Sequence, residues 1–197
     1  MRKRAEQIDE TRRRIVEAAV RLHGELGPAG TTISGIAEAA GVTRVTVYRH
    51  FPDDAALFAA CSAHWSSMQQ GPDPDRWASV ADPVERLRTG LADLYRFYRE
   101  GEGMLTGVYR DRATLPEPVR QALDDDHRQF RRLLLDPFCL AGATRRRVRG
   151  LIGHAVSFWT WRSLCVDEGL SNRAAVDAMS ALILEAAGHG DPAGARS

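Results

Sequence analysis

The sequence lacks the features that mark membrane-embedded and secreted proteins. Its 197 residues contain no run of 18 apolar residues, the length that a membrane-spanning helix requires. The N-terminus carries mixed charges instead of an apolar segment, so no signal peptide is predicted. Only three cysteines occur, Cys61, Cys139 and Cys165, and none belongs to a C-x-x-C pair that would indicate a disulfide framework or a zinc site. We therefore expect a cytoplasmic protein.

Catalytic and metal-binding motifs are also missing from the sequence. The six histidines form no H-x-x-x-H pair, and no glycine-rich phosphate loop, G-x-S-x-G elbow or H-E-x-x-H occurs. The consecutive carboxylates of Asp124–Asp126 would point in different directions on a helix and cannot converge on a metal. The basic run Arg145–Arg147 is interpreted as a solvated face, and His154 as a buried core residue. The sequence predicts neither an enzyme nor a bound cofactor or metal.

Net charge is nearly zero, but it is unevenly distributed. The formal total is +1, which argues against a protein whose entire surface binds nucleic acid. The first 51 residues contain nine basic and six acidic residues, whereas the rest of the chain contains 18 and 20. Any DNA-binding surface is therefore expected near the N-terminus.

Apolar residues recur at steps of three and four along almost the whole chain, which predicts an all-α fold of about nine helices. The first helix is predicted over Ala5–Leu26, with Gly27–Pro28 ending it and an apolar face of Ile15, Ala19, Leu22 and Leu26. The segment around Gln70–Asp75 is rich in Gly and Pro and is predicted to be a loop. Later helices are predicted near Asp82 and Glu102 and after Pro116, Ala143 and Ser171.

The segment Thr32–Phe51 has the pattern of a helix-turn-helix. Thr32 is placed to cap one helix, whose apolar face consists of Ile33, Ile36, Ala37 and Ala40. Gly41 supplies the left-handed conformation of the turn, and Val42 fills the angle between the helices. Thr43 caps the next helix, which buries Val47 and Phe51. This arrangement predicts a short recognition helix with one face open to solvent.

The open face of that helix carries guanidinium, hydroxyl and imidazole groups suited to base edges and phosphates. Because the N-terminal residues of a recognition helix reach the bases, Arg44, Val45 and Thr46 are predicted to read sequence directly. Four further residues are predicted to contact phosphates: Thr32, Thr43, Tyr48 and His50. The expected partner is double-stranded operator DNA.

The pattern Thr-Thr-Ile-x-x-Ile-Ala-x-x-Ala-Gly-Val-Thr-x-x-Thr-Val-Tyr-x-His-Phe, followed by Ala-Leu-Phe at residues 56–58, resembles the TetR family of bacterial regulators. The resemblance covers about residues 12–60. It implies that the rest of the chain is a helical domain for ligand binding and dimerisation, in which an inducer changes the separation of two DNA-reading heads.

Two positions depart from the family pattern. Ser34 stands where an arginine is frequent, and Asp54 stands where many members have a lysine that touches a phosphate. Both departures remove positive charge from the expected DNA face. We hypothesise that the N-terminal arm Arg2–Arg4 and the cluster Arg12–Arg14 compensate for the lost phosphate contacts.

Beyond the helix-turn-helix, the segment Val148–Val166 is apolar on nearly all sides. A helix of this kind must be covered on both faces, and the simplest cover is the protein's own core on one side and a second subunit on the other. The final helix adds an apolar stripe of Val176, Met179, Leu182, Ile183 and Ala186. A homodimer built from the last two helices is therefore predicted.

The middle helices contain aromatic and flexible apolar residues of the kind that line a cavity for a small-molecule effector. The candidates are Leu91, Leu94, Tyr95, Tyr98, Met104, Tyr109 and Phe130. An ordinary core contains the same residue types. The division expected on this basis is a DNA-binding domain over 1–52, an effector-binding and dimerisation domain over 53–188, and a disordered tail over 189–197.

These features together predict a dimeric repressor that releases its operator when a small molecule binds. Two alternatives stay open at this point. One is a ligand-independent regulator or an activator of the same fold. The other is a helical small-molecule-binding enzyme with a vestigial DNA head.

Overall fold

The computed structural model of the protein describes the backbone of residues 2–189 and the side chains from residue 6 onward. The predicted tail therefore lies outside the described residues except for His189, and so do the side chains of the arm Arg2–Arg4. Within residues 2–189 no helix is both long and apolar enough to cross a membrane.

The described chain consists of eleven α-helices joined by short connections, without any strand between residues 2 and 189, which confirms the all-α prediction. The helices are α1 (Arg2–Leu26), α2 (Ile33–Ala39), α3 (Arg44–His50), α4 (Asp54–Ser67), α5 (Pro74–Ser79), α6 (Pro83–Glu100), α7 (Glu102–Arg110), α8 (Glu117–Leu135), α9 (Gly142–Ala155), α10 (Phe158–Arg162) and α11 (Asn172–Ala187). Two of these helices exceed the predicted nine. The helix α5 lies in the predicted loop region, and α10 is separate from α9 although one continuous helix is predicted there.

The helices form two compact units that alternate along the chain. The first unit consists of Met1–Gln70 and Gly101–Ala122, and the second of Gly71–Glu100 and Leu123–Ser197. These units follow the packing of the helices and are not the functional division predicted at residue 52, which stays a prediction.

In the first unit, α1 packs against α2, α4 and α7. The core contains one face of α1 and the inner faces of the next three helices, with buried Ile15, Ala19, Ile36, Val47, Phe51, Leu57 and Cys61. Burial raises the pKa of the Cys61 thiol to about 12, so this cysteine stays protonated at neutral pH. Leu26, which the sequence placed on the apolar face, is 50% exposed because α1 ends there.

A close backbone approach joins the end of α1 to α7. Gly27 has φ of +79°, and a Cβ added at Gly107 would lie 3.0 Å from the Gly27 Cα. Arg110 donates to the Leu26 carbonyl oxygen at 3.0 Å, and Asp111 accepts from the Ala29 amide at 3.0 Å. The predicted end of the first helix at Gly27 is thus confirmed, and α7 is fixed against it.

In the second unit, α6 and α9 both pack on α11. Buried side chains from these helices and their neighbours form the core, among them Leu87, Leu91, Leu94, Tyr95, Ile152, Trp161 and Ile183. Gly90 brings α6 close to α8, since a Cβ there would lie 2.6 Å from a methyl carbon of Leu134.

A carboxylate of α6 makes several of the contacts that attach the short helix α5. Asp93 accepts hydrogen bonds from the indole N–H of Trp77 at 2.9 Å and from the Asp73 amide at 2.8 Å, and it pairs with Arg96 at 2.8 Å. Desolvation alone would raise the pKa of Asp93, but the bonds from Arg96, Asp73 and Trp77 outweigh it and lower the pKa.

Replacing Asp93 by asparagine is expected to reduce the free energy of unfolding by about 1–3 kcal/mol at neutral pH, because the charged acceptor of three hydrogen bonds is lost. Since the folded pKa is lowered, the stabilisation is complete above the unfolded value of about 4 and is lost as the pH falls through the folded pKa. Urea titrations of both proteins between pH 7 and pH 2.5 should therefore converge at the acid end. A constant difference at all pH values would contradict this assignment.

The apolar segment Val148–Val166 is not one helix. α9 ends at Ala155, α10 begins at Phe158, and a π-helical turn follows at Ser163–Asp167. Two tyrosines of α6 supply hydrogen bonds at the break: the Tyr95 hydroxyl donates to the Ala155 carbonyl at 2.9 Å, and the Tyr98 hydroxyl donates to the Val156 carbonyl at 2.8 Å. Tertiary hydrogen bonds therefore satisfy carbonyls that a continuous helix would have used.

Several side chains of this region remain open to solvent within one chain. Trp159 of α10 is 44% exposed and Leu182 of α11 is 46% exposed. His154 is also exposed, so the interpretation of this residue as part of the core was wrong: it lies in the last turn of α9, on the side away from buried Ile152 and Ala155. Its ring nitrogen lies 3.3 Å from the Thr160 hydroxyl.

Candidate nucleic-acid interface

The helix α2 begins as the sequence predicted. Thr32 has extended backbone angles and its hydroxyl oxygen accepts from the Gly35 amide at 3.1 Å, which makes it the N-cap. Ile36 and Ala37 are buried against the first unit's core. The opposite side, which includes Ser34 and Glu38, is exposed.

The turn after α2 depends on Gly41. This residue has φ of +65°, a left-handed conformation that a side chain would strain. The amides of Gly41 and Val42 donate to the carbonyls of Glu38 at 3.0 Å and Ala37 at 2.9 Å, so the end of α2 is satisfied by the turn itself. Val42 is half-buried and packs against the core, as predicted.

The helix α3 is fixed at its start and along its inner face. Thr43 accepts from the Thr46 amide at 3.2 Å, and the two hydroxyl oxygens lie 3.0 Å apart. Val47 and Phe51 are each only 1% exposed, which confirms the predicted inner face. A seven-residue helix is thus held by a cap and two buried anchors.

The outer face of α3 is presented to solvent. Val45 is 77% exposed and Tyr48 is 43% exposed, and Arg44 and Arg49 are exposed as well. This face therefore combines two guanidinium groups with an apolar side chain and a phenol, groups that can meet base edges and phosphates. The three predicted base readers, Arg44, Val45 and Thr46, occupy the first turn of α3, where a recognition helix meets base edges.

Comparison with known proteins agrees with this geometry. A sequence model of the bacterial regulatory proteins of the tetR family matches residues 15–61. The transcriptional regulator AcrR of Shigella flexneri is 43% identical over 58 residues, covering 29% of this chain and 27% of AcrR. TtgR of Pseudomonas putida is 47% identical over 60 residues, covering 30% of this chain and 29% of TtgR. The aligned segment thus spans less than a third of either relative.

Similarity of the fold extends much further. The structure of AibR in complex with isovaleryl coenzyme A and operator DNA superimposes with a TM-score of 0.64 at 22% identity and covers 87% of this chain and 97% of AibR. The TetR family regulator PfmR of Thermus thermophilus gives 0.61 at 20% identity with the same coverage of both chains. Residues 15–61 therefore resemble the tetR family in sequence, and the described chain resembles structures of TetR family regulators in fold. The relatives named here are transcriptional regulators, which fits a DNA-binding role for α3.

Among the candidate phosphate contacts, His50 has a distinct electrostatic environment. Desolvation, followed by the nearby charges of Arg49 and Arg12, lowers the pKa of its imidazole. The lowered pKa favours the neutral imidazole, which still has an N–H donor. The hydroxyls of Thr32 and Thr43 both accept bonds as caps, and that of Thr43 also shares a hydrogen bond with the Thr46 hydroxyl.

The arginines proposed to compensate for Ser34 and Asp54 differ in the hydrogen bonds and ion pairs that they form. Arg12 donates to the His50 carbonyl, and Arg13 pairs with Glu10 and Glu17 at 2.7 Å each. Arg14 is exposed and forms no ion pair within residues 6–189. Of the three, Arg14 is thus the side chain best available for a phosphate.

The two departures from the TetR pattern lie on exposed positions. Ser34 is the second residue of α2 and Asp54 the first residue of α4, next to Asp53, whose carboxylate accepts from the Ala56 amide at 2.7 Å and caps α4. Restoring positive charge at Ser34 therefore need not disturb a cap or the core.

Ser34→Arg is expected to increase affinity for DNA several-fold and to steepen the plot of log affinity against log salt by about 0.9, the value for one added phosphate contact. Fluorescence anisotropy between 50 and 200 mM salt, concentrations over which phosphate contacts weaken strongly, measures both quantities. Gln129→Arg adds the same charge at an exposed position of α8 in the other compact unit. An equal gain from Gln129→Arg would mean that total charge, and not the position of Ser34, sets the affinity.

The candidate effector residues are divided between the two compact units. Leu91, Leu94, Tyr95 and Tyr98 lie together in the core of the second unit, and half-buried Phe130 contacts the Trp77 ring there at 5.1 Å between centroids. Met104 and Tyr109 are half-buried in α7, which belongs to the first unit. The hydroxyls of Tyr95 and Tyr98 are engaged with carbonyls at the end of α9, so a ligand would meet their rings or compete for those bonds.

One contact of the interface was not singled out from the sequence. The guanidinium of Arg12 lies 4.3 Å from the centroid of the Phe51 ring while it donates to His50. The pairing joins residues 38 positions apart, and no local sequence signal identifies it. Within the described side chains no three His, Cys, Asp or Glu residues cluster as a metal site.

Proposed function

We propose that the protein is a ligand-responsive transcriptional repressor. The observation that carries this proposal is the exposed outer face of α3, presented by a helix whose cap, turn and inner face are all fixed. Thr32, Thr43, Tyr48 and His50 contact phosphates, and Arg44, Val45 and Thr46 contact bases. The complex of AibR with operator DNA and isovaleryl coenzyme A supports both a DNA partner and a small-molecule partner.

The proposed active form is a homodimer that joins α10 and α11 of two copies. Trp159 and Leu182 support this proposal because they expose large apolar surfaces on these two helices within one chain. The dimer places two α3 helices in successive major grooves, about 34–36 Å apart, on a near-palindromic operator. Sedimentation of a monomer at micromolar concentration would contradict this arrangement.

Effector binding in residues 53–188 then favours a conformation with a different spacing of the heads, which lowers operator affinity. The proposed contacts are those candidates that lie in the second compact unit, namely Leu91, Leu94, Tyr95, Tyr98 and Phe130. A coupling of about 1–3 kcal/mol, or roughly 5- to 150-fold in affinity, is typical of such systems.

Selection from genomic DNA fragments with the purified protein, followed by footprinting, tests the DNA function. A single enriched palindrome bound by two copies is expected. Metabolites that raise the melting temperature of the protein are then added to the protein–operator complex. A repressor of this type should then dissociate from the operator. Ligands that stabilise the protein without changing operator affinity would favour a ligand-independent regulator, and turnover without any DNA affinity would favour an enzyme.

A further inference from the structure

Arg12 connects α1 to the C-terminal end of the recognition helix. Its Nη1 donates to the His50 carbonyl oxygen at 3.0 Å, and its Cζ lies 4.3 Å from the centroid of the Phe51 ring. His50 is the last residue of α3 and Phe51 is its C-cap. One side chain thus contacts both the final carbonyl and the final buried anchor of the helix.

This contact matters because α3 is short. A helix of seven residues has only two turns. The Val47 carbonyl accepts from the Phe51 amide at 2.9 Å, but the carbonyls after it have no partner within the helix. Thr43 fixes the N-terminal end through its hydroxyl, whereas the C-terminal end has no side-chain cap of its own. The charged donor of Arg12 and its stacking on Phe51 supply the missing restraint.

The flat face and one nitrogen of the Arg12 guanidinium are therefore already in use on the protein side. Arg14 lies on the same helix and is also exposed, but it makes no ion pair or hydrogen bond among the described residues. Because the two arginines carry the same charge but differ in their contacts, substitutions at the two positions can be compared directly.

We propose that Arg12 is a positioning residue for DNA recognition: it fixes the orientation of α3 and so supports discrimination between sequences, while Arg14 serves the phosphate backbone. This inference rests on the proposed function of α3. It replaces the hypothesis that the three residues Arg12–Arg14 act together as compensating phosphate contacts.

The test compares Arg12→Gln, Arg12→Lys and Arg14→Gln in the full-length protein. Affinities for the selected operator and for a scrambled duplex are measured by anisotropy across a salt series. Arg12→Gln should weaken operator binding about tenfold, as expected for a lost charge-assisted bond. It should leave scrambled-duplex binding and the salt slope unchanged. Arg14→Gln should weaken both duplexes equally and reduce the slope by about 0.9.

Arg12→Lys keeps the charge but not the planar fork, so it should behave like Arg12→Gln. Full rescue by lysine, a reduced salt slope in Arg12→Gln, or an equal loss on both duplexes would overturn the proposal. A lower melting temperature with unchanged operator affinity would also overturn it, because it would assign Arg12 to the scaffold alone.

A second measurement separates this inference from the proposed function. Amide hydrogen exchange of the DNA-free protein should accelerate at residues 47–51 in Arg12→Gln and remain unchanged in Arg14→Gln. Equal exchange rates at residues 47–51 in the two variants would overturn the positioning role of Arg12, whether or not the protein binds DNA. A wild-type protein that fails to distinguish operator from scrambled DNA contradicts the function of α3 instead.

Discussion

Trp77→Ala is expected to reduce the free energy of unfolding by about 3–5 kcal/mol, a large fraction of the stability of a domain. The Trp77 side chain is completely buried in the second unit, where its ring lies 5.1 Å from Phe130 and its indole N–H donates to Asp93. Its removal therefore leaves a cavity beside α6 and an acceptor with one partner fewer. Urea denaturation followed by circular dichroism measures the change.

The variant Trp77→Phe separates the two contributions. It keeps most of the ring volume and removes only the donor to Asp93, so a smaller loss of about 1–3 kcal/mol is expected. Equal losses in both variants would mean that the hydrogen bond dominates the packing. A loss below about 1 kcal/mol in Trp77→Ala would contradict a structural role for α5, because core truncations rarely cost so little.

Arg44→Ala is expected to lower operator affinity by about 1–3 kcal/mol, or roughly 5- to 150-fold, if its guanidinium pairs with a guanine edge. Arg44 is the first residue of α3 and is exposed, so the folded protein should keep its melting temperature. Repeating the selection with the variant should relax the preference at one base position of each half-site. This change in specificity separates base reading from phosphate binding.

Arg173→Ala is a suitable control for this experiment. Arg173 lies on α11 in the other compact unit and is highly exposed, with only a 4.0 Å approach to Asp177. Its removal takes away the same charge without touching α3. A similar loss of affinity in both variants, with unchanged sequence preference, would count against direct readout by Arg44.

The sequence identified the helix-turn-helix because its determinants are local. Thr32 and Thr43 cap amides only three residues away, and Gly41 adopts its left-handed conformation within the turn itself. Such interactions depend on residue type and short spacing, which can be seen directly in a sequence. The predicted inner face of α3 followed from the same periodicity.

Hydrogen-bond partners that are distant in sequence explain one difference between the predicted helices and the structure. The break between α9 and α10 contains no Gly or Pro, and its carbonyls are satisfied by tyrosines about 60 residues away. In contrast, α5 had a signal, since Asp73 caps it and Pro74 occupies its first position. The Gly-Pro composition of that region hid a helix of only six residues.

The effector residues illustrate a different difficulty. Aromatic and aliphatic side chains at helical spacing fill cores and line cavities equally well, so residue type alone does not separate the two. The structure places Leu91, Leu94, Tyr95 and Tyr98 in one core but assigns Met104 and Tyr109 to the other unit. Sequence spacing could not indicate this division.

The alternation of the two compact units along the chain affects how the protein can be re-engineered. The chain passes from one unit to the other after Gln70, after Glu100 and after Ala122. A chimera with a single junction after residue 70 or 100 would combine α1 with the α7 of another protein and so replace their native contacts. Exchange of DNA specificity among relatives is therefore better done by transplanting the outer face of α3 alone, which leaves every inter-helix contact with its native partner.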